Sequence, residues 1–182
     1  MTSPEDLAAV QAVLDGDIDA FESIVERWKR PLVNLAYRYC LDRGRAEDMA
    51  QEAFLRAFRH LRSWRRDAAF STWLFALASN LYRTELKRLP PRAESLDRVV
   101  VAGGADPETL LGGREIASAV RAAVAALPGK YRDPILHYYL HEQDVALSAA
   151  VLGMPEGTFK ARLSRGRALL RDRLEKWRGG RR

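Results

Sequence analysis

The sequence predicts an all-α chain of two small helical domains joined by a flexible linker, and three observations lead there. Apolar residues recur at helical spacing through most of the 182 residues. The breakers Gly103-Gly104, Asp106-Pro107 and Gly112-Gly113 gather in one stretch. At 47% hydrophobic and 30% charged, the chain suits one ordinary domain or two small ones, and neither a disordered nor a membrane class.

Ser3 is placed to cap a first helix, with Pro4 at its first position, Asp6 three residues after the cap and Leu7, Val10 and Leu14 as the apolar stripe. Gly16 ends it. Asp17 to Leu41 reads as one long helix with Phe21, Ile24, Val25, Trp28, Leu32, Leu35, Ala36 and Tyr39 on one side and a kink expected at Pro31. Arg43-Gly44-Arg45 reads as a turn. The next helix, Ala46 to Arg62, turns Ala50, Ala53, Phe54, Ala57, Phe58 and Leu61 inward and carries Asp48, Gln51 and Glu52 outside. Glu47 and Asp48 suit its first turn, where carboxylates complement the helix dipole; stabilising that end and docking a partner are compatible roles.

Ser63 to Asp67 is a polar break. A further helix places Phe70, Trp73, Leu74, Leu77, Ala78 and Leu81 on one side and Asn80, Arg83 and Lys87 on another, basic side. Phe70 and Trp73 suit core anchors and base-stacking platforms alike, whereas Trp64, beside Arg65, Arg66 and Asp67, reads as a ring outside the core. Stacking an exposed base on such a ring is worth roughly 1–3 kcal/mol.

Leu89-Pro90-Pro91-Arg92 stops this helix, and an acidic linker follows to Gly113. From Arg114 a helical region sets Ile116, Val120, Val124 and Leu127 in phase and ends at Pro128-Gly129. Tyr131 to His141 follows, then Asp144 to Leu152, a turn at Gly153-Met154-Pro155, and a long helix from Glu156 to about Trp177. Two helices across a short glycine-containing turn, the second basic, form a helix-turn-helix. Ten Lys or Arg stand between Lys160 and Arg182 against Asp172 and Glu175 alone. The formal net charge of +6 is concentrated there, since from Arg121 onward 13 basic residues face 6 acidic ones. A polyanionic partner is expected.

The single cysteine, Cys40, cannot form an internal disulfide and suits a reducing cytoplasm as a buried thiol. Neither a signal peptide nor a membrane span is indicated. His137 and His141, four apart, lack the Cys or clustered carboxylates that would complete a metal site. No phosphate-cradling loop, nucleophile elbow or paired carboxylates appear, so neither catalysis nor a cofactor is expected.

Glu47-Asp48-Met49-Ala50-Gln51-Glu52-Ala53-Phe54, followed by Phe70-Ser71-Thr72-Trp73-Leu74 and Ala78-Ser79-Asn80-Leu81, resembles the core-binding and promoter-melting segment of bacterial RNA polymerase sigma factors. Gly153 to Arg167 resembles the family's −35-reading segment, and the compact two-domain length points to the extracytoplasmic-function (ECF) subfamily. The resemblance implies a non-enzymatic specificity subunit that binds the polymerase core through its β′ clamp and β flap. Its other partners would be double-stranded and melted promoter DNA and an anti-sigma factor, in the cytoplasm and without membrane insertion. Carried over by position, Asp48, Gln51, Glu52 and Leu55 would bind the core. Trp64, Phe70, Thr72, Trp73, Asn80, Arg83 and Lys87 would recognise and melt the −10 element. Gly157, Thr158, Phe159, Lys160, Arg162, Arg165 and Arg167 would read the −35 element. The implied domains are 1–90 and 114–182, with a linker at 91–113. The sequence departs from the family at Thr84, where an acidic residue is usual, at Lys87 in place of Arg, and at Gln143 and Ser148 in place of Leu and Ile. A dimeric helix-turn-helix regulator is the alternative; it accounts for Gly153 to Arg167 but leaves Trp64 to Asn80 without a role.

Overall fold

The computed structural model describes residues 3–88, 107–141 and 144–179, with 107–114 as backbone only, and all regular elements among them are helical. Helix α1 (Pro4–Leu14) starts at Ser3, whose hydroxyl accepts the Glu5 amide at 3.2 Å. Asp6 serves a different purpose from the cap expected of it. It is buried, and its carboxylate accepts Arg27 at 2.5 Å and the Trp28 indole at 3.1 Å, which pins α1 to α2 (Phe21–Cys40). The single helix expected from Asp17 is divided, because a 3-10 turn at Ile18–Ala20 precedes α2. Helix α2 continues through Pro31 and ends on Leu41, whose φ of 56° is left-handed.

Asp42 then caps α3 (Arg43–Arg59), its carboxylate accepting the Arg45 amide at 2.9 Å. This cap converts the expected turn at Arg43-Gly44-Arg45 into the first helical turn. Glu47 and Asp48 consequently lie beyond the first turn, and Glu47 faces Arg43 at 3.4 Å. Stabilising the helix end loses its basis as their role, because the dipole effect falls off within one turn. A 3-10 turn at Leu61–Ser63 and a loop lead to α4 (Phe70–Arg88). The core of this unit joins Ile24, Leu32 and Leu35 of α2, the alanines 46, 50, 53 and 57 of α3, and Leu74, Ala78, Leu81 and Tyr82 of α4. The alanine stripe brings α3 close to α2, and each fully buried Leu, Ile or Phe contributes roughly 1.5–3 kcal/mol.

The second unit comprises α5 (Pro107–Ala125), α6 (Gly129–Leu140), α7 (Val145–Val151) and α8 (Glu156–Gly179). Residues 107–113 belong to α5, so the predicted linker is shorter at its C-terminal end; residues 89–106 lie outside the described residues. Ile116, expected in the apolar stripe, is 57% exposed, while Val124 and Leu127 further along are buried. Helix α8 crosses α6 at Gly166, where a Cβ would meet the Tyr131 carbonyl at 2.9 Å and Ile135 Cδ1 at 3.0 Å. Only glycine permits that approach without a shift. Ser148 fills a family Ile position by burying its hydroxyl, which donates a shared bond to the carbonyls of Asp144 at 2.6 Å and His137 at 3.1 Å. Gln143, the other departure, is outside the described residues.

The two units pack together, α4 against α7 and α2 against α5 and α6. Ser79 Oγ lies 3.0 Å from His137 Nε2, Phe75 stands edge-on to His141 at 5.0 Å, and Arg83 pairs with Asp133 at 3.6 Å. Arg132 sits over the Tyr39 ring at 5.2 Å.

Candidate functional site

The outward side of α3 faces α2 and the turn before it across an open groove of about 950 Å³. Its apolar surface includes Ile18, Leu55 and Phe58, which are 63%, 45% and 37% exposed, and Phe58 is held edge-on by Phe21 at 5.2 Å. Asp48, Gln51, Glu22 and Glu47 stand around it. Large apolar side chains left in water beside carboxylates suit a partner with an apolar ridge and basic flanks. Three of the four residues expected to bind the polymerase, Asp48, Gln51 and Leu55, line this groove. Glu52 does not; it accepts Arg56 Nε at 2.7 Å beside it.

The aromatic cluster is arranged otherwise than its polar neighbours suggested. Trp64 is 7% exposed, its indole N–H donates to the Ala68 carbonyl at 3.0 Å, and its ring meets Phe70 edge-on at 5.3 Å. It belongs to the core. The four-residue return to Ala68 satisfies its one polar atom, so the exposed charges beside it in sequence left its burial unopposed. Phe70 is fully buried, with Trp73 5.6 Å away, and Thr72 is buried too. In this arrangement Trp64, Phe70 and Thr72 shape the loop from within. Outside it stand Arg65 and Arg66; Arg66, at φ 64°, lies over the Trp64 ring and donates to Gln11 at 2.7 Å.

Trp73 is half-buried against the core, leaving part of its ring for a ligand. Asn80 and Lys87 are exposed, and Arg83, half-buried, donates to Asn80 as well as pairing with Asp133. Thr84, one of the departures, donates to the Asn80 carbonyl at 2.9 Å. On this face of α4, Arg83 is the side chain paired with the second unit, while Asn80 and Lys87 stay exposed.

In the helix-turn-helix, Asp144 caps α7 through the Leu147 amide at 2.9 Å, and Gly153 makes the turn with φ 62°. Helix α8 begins at Glu156, as the spacing predicts. Phe159, expected among the DNA-facing residues, is fully buried, and with Leu163 it anchors α8 against the core. Gly157, Lys160, Ala161, Ser164 and Arg165 are exposed along α8, with Thr158 half-buried. Lys160 pairs with Glu156 at 3.3 Å, and Arg167 lies over the Tyr138 ring at 4.6 Å. Arg162 turns elsewhere. It lines a cavity of about 450 Å³ shared with Arg83, Lys87, Lys130, Arg132 and Asp133.

His137 was missed as anything but an unsuitable metal ligand. Ser79 uses its proton on the Phe75 carbonyl at 2.6 Å, so the contact at 3.0 Å assigns the proton to His137 Nε2. His137 Nδ1 then accepts from His141 Nε2 at 3.3 Å. Burial pushes the His137 pKa down to about 3, with His141, Arg83 and Arg38 acting in the same direction. Among the described residues, no three His, Cys, Asp or Glu side chains group as a metal site, and no helix is long and apolar enough to cross a membrane.

Residues 24–89 match the family model for Sigma-70 region 2, and residues 117–170 match that for Sigma-70 region 4. The chain is 33% identical to the ECF RNA polymerase sigma factor SigW of Bacillus subtilis, over 91% of this chain and 94% of that one. The chain belongs to the ECF sigma factors. It is also 31% identical to the ECF RNA polymerase sigma-E factor of Escherichia coli, over 93% of this chain and 94% of that protein. The fold matches CnrH, solved in complex with the cytosolic domain of CnrY, with a TM-score of 0.71 at 21% identity, covering 94% of this chain and 98% of that one. The sigma factor RpoE of Bartonella quintana, solved with the anti-sigma factor NepR, gives a TM-score of 0.65 at 19% identity over 85% of this chain and 96% of its own. The two family models fall on the two packed units, region 2 on α2 to α4 and region 4 on α5 to α8.

Proposed function

We propose that this sigma factor joins the RNA polymerase core through the α3 groove and directs it to promoters whose −10 and −35 elements its two units read. The observation that carries this is the groove, where exposed Leu55 and Phe58 lie beside Asp48 and Gln51 within the region 2 match. A soluble helical unit gains nothing from leaving such side chains in water unless a partner covers them. Trp73, Asn80, Arg83 and Lys87 are the side chains available to the −10 element, and Gly157, Thr158, Lys160, Arg162, Arg165 and Arg167 to the −35 element. Phosphate contacts supply affinity by counterion release, and base-edge contacts supply selectivity. Trp64, Phe70, Thr72 and Phe159 support these faces from the core. The first unit spans residues 1–90 and the second the chain from α5 onward. An anti-sigma factor is a fitting further partner, since the two solved sigma factors of the same fold were captured with protein partners, CnrY and NepR. The bound state acts in the cytoplasm, where its polymerase is.

The test lies in α3. Asp48→Arg combined with Leu55→Asp should abolish capture of core polymerase, because a reversed charge and a lost apolar contact at one interface cost several kcal/mol. Glu52→Arg, directed to Arg56 outside the groove, should weaken capture far less. If the double variant keeps its helicity and binds core as the unaltered protein does, the groove is not the docking site.

A further inference from the structure

Five cations converge on one small cavity bounded by α4, α6 and α8. Arg83 and Lys87 reach it from α4, Lys130 and Arg132 from α6, and Arg162 from α8, around a space of about 450 Å³. Asp133 is the one acid in the lining, and it is already shared: Arg83 Nε stands 3.6 Å from one of its oxygens and Arg132 Nε 3.4 Å from the other. Among the described residues, Lys87, Lys130 and Arg162 have no ion-pair partner. Like charges gathered in a cleft raise its potential and concentrate anions there.

We propose that this cavity is a binding site for a small compound carrying linked phosphates, either inorganic pyrophosphate or a nucleoside diphosphate. Its volume lies within the roughly 300–1,000 Å³ of small-molecule sites. Three guanidiniums and two ammoniums on three helices are satisfied together only by a ligand whose charged oxygens spread over more than one centre. Linked phosphates supply such oxygens, which arginine forks take in pairs and lysines meet as point charges. The first turn of α6 adds to the attraction, because Gly129 and Lys130 line the cavity and no side chain caps that helix end, whose partial charge is positive. Leu86, Pro134 and Met154 complete the lining with apolar surface on which the carbon skeleton of a nucleoside can lie.

A duplex track is built differently. DNA presents its phosphates at regular steps along a line, and the side chains proposed for it follow the lengths of α4 and α8. Lys130 and Arg132 belong to neither reading face, yet they add their charge to the same cavity. The site therefore goes beyond the promoter reading and stands without it.

Calorimetric titration of the full chain with pyrophosphate, at constant physiological ionic strength and without divalent metal, tests the site. One pyrophosphate should bind per chain, about tenfold or more tightly than sulfate, which carries a single charged centre. Lys87→Glu and Lys130→Glu, both at exposed positions and one in each unit, should each weaken it by about tenfold or more, since a like charge then opposes the ligand. Glu at position 130 suits the first turn of α6, so the fold is retained. Arg59→Glu alters the net charge equally at the exposed end of α3, outside the cavity, and should change the affinity by about twofold or less because salt screens distant charges. ADP in place of pyrophosphate distinguishes the two sources: tighter binding assigns a nucleotide, and equal or weaker binding the inorganic compound. A promoter duplex should lose no more affinity with Lys130→Glu than with Arg59→Glu. Pyrophosphate that binds no more tightly than sulfate, or that is weakened as much by Arg59→Glu as by Lys130→Glu, overturns the site. So does a loss confined to one of the two lysine variants, which leaves no site shared by the units. Equal losses of pyrophosphate and duplex affinity in Lys130→Glu overturn it as well, since the cavity would then be a stretch of the DNA track.

Discussion

The loop from Trp64 to Ala69 and the start of α8 both carry clustered basic residues beside an aromatic ring, and both read in the sequence as DNA-facing. They are built in opposite ways. In α8 the cations stand on the surface and Phe159 anchors the helix from within, with its burial following from helical phase. In the loop no phase exists to announce which side is inside. Trp64 is buried because a carbonyl four residues on satisfies its single N–H and Phe70 covers its ring. Charged neighbours in sequence therefore say little about a loop aromatic, since alternate residues can face opposite directions.

The largest expected effect breaks this comparison if it is wrong. Trp64→Ala or Phe70→Ala should destabilise the first unit by about 3–5 kcal/mol in denaturant unfolding, the range for emptying an aromatic core site. Lys160→Ala or Arg165→Ala should stay within about 0.5 kcal/mol of the unaltered chain. If Trp64→Ala leaves stability unchanged and removes only promoter opening, the ring serves a base after all and the closed loop is not its working form.

An intermediate effect concerns where the regions meet. His137 has an ordinary pKa of 6.5 and is held near 3 in the folded chain. Between those values the unfolded state binds the proton and the folded state does not, so stability falls as pH drops below about 6.5. At pH 5.5 the loss should be about 1.4 kcal/mol relative to pH 7.5, one pKa unit's worth. His141, also lowered by burial, acts in the same direction, while Asp133, raised by burial, acts oppositely just above its ordinary value of 3.8. Unfolding at the two pH values checks it, and His137→Gln should flatten the difference. A slope that His137→Gln leaves intact would place the titration elsewhere.

Much of the architecture was legible because helical periodicity and caps are local. Ser3, the Gly153 turn and the start of α8 stand where spacing puts them. What escaped was decided by distant partners. Asp6 looked like a capping residue until Arg27 and Trp28, more than twenty residues on, took its carboxylate. Asp42 moved the start of α3 forward because a cap outweighed the glycine that suggested a turn. Ser79 and His137, 58 residues apart, form a buried pair that no window could join. Of the four expected docking residues, phase placed three in the groove; Glu52 falls a step beyond it and is taken by Arg56.

The smallest expected effect separates two cations on the same helix. Lys160 is exposed near the start of α8 with Glu156 as its one ion-pair partner among the described residues, whereas Arg167, about two turns on, has Tyr138 under its guanidinium at 4.6 Å and Tyr139 at 5.8 Å. An arginine held over rings is fixed in place, which favours a steady phosphate contact but ties its reach to that of the tyrosines. Arg167→Ala should weaken binding to all −35 sequences alike and reduce the salt slope by about one, as expected for a single released phosphate contact. Lys160→Ala should change the slope as little or less, yet alter the ranking of −35 variants, because the start of a recognition helix is where base edges come within reach. Binding across a panel of −35 sequences at several salt concentrations distinguishes them. Should both variants shift the slope and neither the ranking, the exposed face of α8 follows the backbone only, and sequence selection belongs to other side chains such as Arg162.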